Sequence, residues 1–137
     1  MITFRKRKPT TILFLGLYLL CMNGFAQNLD SLENVLNGSD LSSEEYLTVC
    51  DDLSWSYLDD DFGKSIKYAV RGIERAKSDQ NLLMEARLYR NLGVAYYMNS
   101  QMDTAQLFLN KSLEKAILLK DEQLEAAVYG AIGNVHN

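Results

Sequence analysis

Tyr89-Arg-Asn-Leu92-Gly93-Val-Ala-Tyr96 is the stretch on which the fold turns. Ala86, Tyr89, Leu92, Gly93 and Tyr96 are spaced by threes and fours, so they share one stripe of a helix. A glycine inside such a pattern costs about 1 kcal/mol against alanine. That cost makes sense only where another helix comes too close for a side chain. The pattern returns forty residues later as Tyr129-x-x-Ile132-Gly133-x-x-His136, and stands thirty-nine residues earlier as Cys50-x-x-Leu53-Ser54-x-x-Tyr57.

A second block follows each of the first two copies. Lys64 to Ala76 aligns without gaps on Thr104 to Ala116, at a shift of forty. There Ala105, Phe108, Leu109, Ser112, Leu113 and Ala116 again form one apolar stripe. Each copy is therefore a pair of helices. The spacing predicts helices near 43–58, 62–78, 82–99, 103–119 and 122–136, after a short helix near 29–37. Ser42-x-x-Glu45 reads as a capping box, and Asp61, Asp103 and Asp121 as N-terminal caps. Ser54 and Gly93 are expected to face Ser65 or Ala105 across their pairs, with Gly72 and Ser112 small where a second helix meets the next repeat.

An aromatic, then Leu-Gly, then Tyr, with a small and an apolar residue in the following block, resembles the tetratricopeptide repeat over residues 43–137. The period near forty, instead of thirty-four, is similar to the extended-helix variety of that repeat. Ser54 stands where Gly is usual, Ala69 and Leu109 where an aromatic is usual, and no proline closes the second helix. The resemblance implies an all-α right-handed superhelix of antiparallel helix pairs, with repeats at 43–80, 82–120 and an incomplete 122–137. It also implies that the first helices of the pairs line a concave face holding a protein or peptide partner. On this chain that face carries Asp51, Trp55, Leu58, Arg87, Arg90, Val94, Tyr97 and Asn134.

The front of the chain is of another kind. Arg5 to Lys8 are basic, Ile12 to Met22 is an apolar run, and Gly24-Phe25-Ala26 offers small residues at a cleavage site. Those three parts make residues 1–26 a secretory signal, its apolar run too short for a comfortable membrane span. Cleavage after Ala26 and export to the periplasm or cell envelope are expected. Without the signal's four basic residues, 10 of the chain's 14 remain against 18 acidic ones, a net charge of −8. The segment 27–42 and the helix after it are acidic and hold no Lys or Arg up to residue 61. Nucleic acid is an unsuitable partner for such a surface.

Chemistry-bearing residues are few. Asp59-Asp60-Asp61 lacks the alternating ligands and turn glycine of a calcium loop, and reads as a solvated turn that ends in a cap. His136, the single histidine, takes the place of Tyr57 and Tyr96 and is expected to pack. Cys50 aligns with Tyr89 and is expected to be buried and unreactive. No catalytic set, metal or cofactor is expected. The half-repeat at 122–137 leads us to expect the N-terminal part of a longer protein. Two functions then compete: an exported, non-catalytic interaction scaffold, and the sensory input region of a membrane kinase or transcriptional regulator. Membrane attachment would require a span further along the chain.

Overall fold

The computed structural model describes residues 28–38 and 40–136; the secretory signal expected at 1–26 lies outside them. Among the described residues there are six helices and no strand. Helix α1 covers 28–38. It is followed by α2 (Ser43–Ser56), α3 (Phe62–Ser78), α4 (Leu82–Met98), α5 (Met102–Leu119) and α6 (Glu122–His136). From α2 onward each helix packs on its neighbour in sequence, and α4 also touches α2 and α6. No described helix is long and apolar enough to cross a membrane.

The helix starts follow from local chemistry. At α2 the Glu45 amide donates to Ser42 Oγ at 3.3 Å while the Ser42 amide donates to Glu45 Oε2 at 2.9 Å, a reciprocal box. Asp61 accepts from the Lys64 amide at 3.0 Å and Asp121 from the Leu124 amide at 2.9 Å. Asn81 does the same for Met84 at 3.1 Å. Asp103 is not a cap. It lies in the first turn of α5, behind an N-cap Gln101 that makes no side-chain capping bond. The physical reason is that α4 ends at Met98, one residue before the expected limit, so the three-residue turn after it brings Gln101 to the start of α5.

The turns after α3, α4 and α5 share one construction. Gln80, Ser100 and Lys120 each have φ between 54° and 58°, a left-handed conformation. The residue after each donates its amide across the helix end: Asn81 to Ala76, Gln101 to Tyr96, Asp121 to Ala116, at 2.8–3.1 Å. This is the Schellman closure, which satisfies carbonyls left over at a helix end. Asn81 and Asp121 then cap the next helix with their side chains, so one residue ends one helix and starts another.

Packing is tightest where the repeats place small residues. A Cβ on Gly93 would lie 2.7 Å from Leu109 Cγ and 3.1 Å from the Leu109 amide nitrogen. The residue that faces Gly93 is therefore Leu109, not Ala105, because its side chain fills the notch. In the first pair the expected neighbours do meet, with Ser65 Oγ donating to the Ser54 carbonyl at 2.6 Å. A Cβ on Gly72 would meet Leu88 at 2.6 Å and Cys50 Cβ at 2.9 Å, so Gly72 sits where α3 meets α4. Ser112 donates to the Ala86 carbonyl at 2.7 Å. Phe108 stacks on both Tyr89 and Tyr96, and Tyr68 on Tyr57.

Two apolar clusters result, one joining α1 to α4 and the other α4 to α6. Cys50 is wholly buried in the first, and burial pushes its thiol up to about 11. Such a thiol stays protonated and inert at neutral pH. Leu124 and Val128 of α6 bury against α4 and α5, with Ala131, Ile132 and Val135 partly buried beside them. Tyr129 stays 55% exposed. His136 is exposed too, so its expected packing role fails, because no described helix covers that side of α6.

Candidate functional site

Four of the eight residues assigned to a concave face come together, and they do so through a polar knot between α2 and α4. Asn91 is fully buried on the side of α4 that meets α2. Its Nδ2 donates at 2.8 Å to both Asp51 Oδ1 and Ser54 Oγ. Ser54 Oγ donates in turn to the Asp51 carbonyl at 2.9 Å. Arg87 Nη2 pairs with the other Asp51 oxygen at 2.8 Å. Buried polar groups are tolerated only when bonded in this way. Asp51 is therefore committed to holding the helices and to orienting Arg87.

Arg90 is placed differently. Its Nη2 donates to Asn91 Oδ1 at 3.2 Å, and its guanidinium carbon lies 4.9 Å from the centre of the Trp55 ring, a cation–π distance. Its Nε is buried and has no hydrogen-bond partner among the described residues. Burial works chiefly against its protonated form; the charge of Asp51 opposes this, and the Arg87 charge adds a smaller push in the same direction as burial. Trp55 keeps half its surface exposed.

Two clefts flank this ridge. One, of about 370 Å³, is lined by Asn28, Leu29 and Leu32 of α1, by Asp51, Asp52, Trp55 and Ser56 of α2, and by Arg87 and Arg90. The other, of about 310 Å³, shares both arginines and adds Leu83, Asp121, Gln123, Leu124 and Ala127. Asp52 stands in the first cleft with no bonding partner for its carboxylate among the described residues. Burial, and next the adjacent Asp51 charge, push its carboxyl up from the ordinary range, while Arg87 pulls the other way.

The remaining assignments fare less well. Leu58 is buried and lies beyond the end of α2 at Ser56, so it turns inward and leaves the face. Val94 packs against the second apolar cluster. Tyr97 is half-buried and Asn134 exposed, and neither lines the clefts. The acidic turn does what its sequence suggests: Asp61 caps α3, while Asp59 and Asp60 are exposed.

Sequence reading missed Asn91, Asp52 and the contribution of α1. For Asn91 a signal did exist. Leu88, Asn91, Leu92 and Ala95 share the buried side of α4, and an amide inside an apolar stripe announces a buried bond. Helix α1 is held by Glu33, which accepts from Tyr57 Oη at 2.6 Å and from Lys64 Nζ at 3.0 Å. The Tyr57 hydroxyl is the main cause that holds the Glu33 carboxyl below its ordinary range.

The chain matches no family model, and no curated protein or solved structure matches it either.

Proposed function

We propose that the chain is a non-catalytic binding module of the tetratricopeptide-repeat kind, exported from the cytoplasm, whose helix pairs stack into a right-handed superhelix and hold a protein or peptide partner. The observation that carries this reading is the gathering of Trp55, Arg87 and Arg90 on one side of α2 and α4, beside two clefts. An aromatic and two arginines are the side chains most enriched at binding hot spots. The repeat itself supports the family reading: equivalent positions 54 and 93 both lie where two helices approach closely.

Sensory input to a membrane-bound signalling protein is the second reading. The feature that favours it is the first cleft, whose volume of about 370 Å³ falls in the range of small-molecule sites.

A peptide array probed with the purified protein tests the binding face. Peptides retained by the wild type should weaken at least about tenfold with Arg90→Glu, the loss of one charged anchor. Retention that ignores Arg90→Glu and Trp55→Ala, or no retention of any peptide, would overturn the assignment of this face to peptides.

A further inference from the structure

The first cleft holds two carboxylates and two guanidiniums, and they do not cancel pairwise. Asp51 and Arg87 satisfy each other at 2.8 Å. That leaves Asp52, which is exposed to solvent, with no bonding partner among the described residues, and Arg90 with Nη2 on Asn91 and a buried Nε that no described residue bonds. Beside these two opposite charges stand Leu32 and the half-exposed ring of Trp55.

We infer that this cleft binds an amphoteric small ligand, an α-amino acid with an apolar side chain. Its carboxylate would complete Arg90, its ammonium would pair with Asp52, and its side chain would lie on Trp55 and Leu32. This inference rests on the reading that the Trp55–Arg90 face is a binding face, and it gives the first cleft on that face the small ligand that the second, sensory reading calls for.

Electrostatics disfavours the simpler ligands. A phosphate or a nucleic acid would bring a second negative charge toward Asp51 and Asp52. A metal cation would meet Arg87 and Arg90. A plain carboxylate would leave Asp52 without a counter-charge, and an interior peptide segment carries neither charge. Burying a charge without its partner is costly, whereas a bonded pair offsets that cost. Only a ligand with both signs completes both groups. The cleft is also of the size for one or two residues, not for a long chain.

Calorimetric titration of the protein with L-phenylalanine and L-leucine tests this, with N-acetyl-L-phenylalanine lacking the ammonium and L-phenylalanine amide lacking the carboxylate. The free amino acids should bind, and each blocked form should bind at least about tenfold more weakly, as expected when one charged hydrogen bond is lost. Asp52→Asn should erase the discrimination against the acetylated form, and Arg90→Gln that against the amide. Arg90→Lys keeps the charge without the Nε–H and serves if the glutamine variant melts early. Equal binding of either blocked form, or no binding of either amino acid by folded protein, would overturn the proposal. If peptides are still captured through Arg90 while amino acids are not, the ligand class alone falls; if neither binds, the binding face falls with it.

Discussion

The α2–α3 and α4–α5 pairs are copies of one pattern, yet they close their tightest contact by opposite means. In α2–α3 the contact is made of Ser54 against Ser65, joined by a hydrogen bond of 2.6 Å, with the small Ala69 a turn further on. In α4–α5 the same positions hold Gly93, Ala105 and Leu109, and the leucine fills the space that glycine leaves. A medium residue facing a small one has been exchanged for none facing a large one. Close packing depends on the volume of the pair, not on either residue alone. The polar version has a further consequence: Ser54 Oγ is free to accept from Asn91, which ties the first pair to the second and sets the arginines of α4 over α2.

The apolar version should break hardest. Gly93→Leu forces a side chain into the Leu109 notch, and a loss of about 3 kcal/mol is expected from such overpacking. A thermal melt followed by circular dichroism reads it. Adding Leu109→Ala should restore part of the loss, and an unchanged melt in the single variant would refute the notch.

The polar version should break next. Asn91→Ala strands Asp51 Oδ1 and Ser54 Oγ, with an expected cost of about 2 kcal/mol for unsatisfied buried groups. Urea unfolding measures it. Serine, the hydrogen-bonding alternative, should cost less than alanine. The smallest effect sharpens the comparison at the start of α5, the second helix of that pair, where Gln101 makes no capping bond. Gln101→Asp should raise stability by about 1 kcal/mol, the usual worth of an N-cap, and the same melt detects it.

Helix positions were legible in the sequence because periodicity and caps are local. Ser42, Glu45, Asp61 and Asp121 act as their spacing implies, and α3 and α6 have the expected limits. Failures arose where a distant partner decides. Asp103 was misread since α4 ends one residue early, which moves the start of α5 and places its cap at Gln101. Leu58 was placed on a face because α2 was extended two residues past Ser56. The site was half legible: Trp55, Arg87 and Arg90 stand out by type, and the apolar stripe of α4 announces a buried amide at Asn91, but its partner lies forty positions earlier, and no local pattern names that partner. Asp52 differs from its neighbour Asp51 only in what faces it.

The Schellman turns also limit how this chain can vary in length. At Asn81 and Asp121 the amide finishes one helix while the side chain begins the next. An inserted residue would separate those two duties, leaving either a frayed end or an uncapped start. The joint between α2 and α3 is looser, since Tyr57 to Asp61 gives it five residues and the Asp61 amide reaches only the C-cap carbonyl of Tyr57, at 2.9 Å, not the body of α2. That joint, with its exposed Asp59 and Asp60, is where a tag, a cleavage site or a grafted loop can enter with the helix register intact.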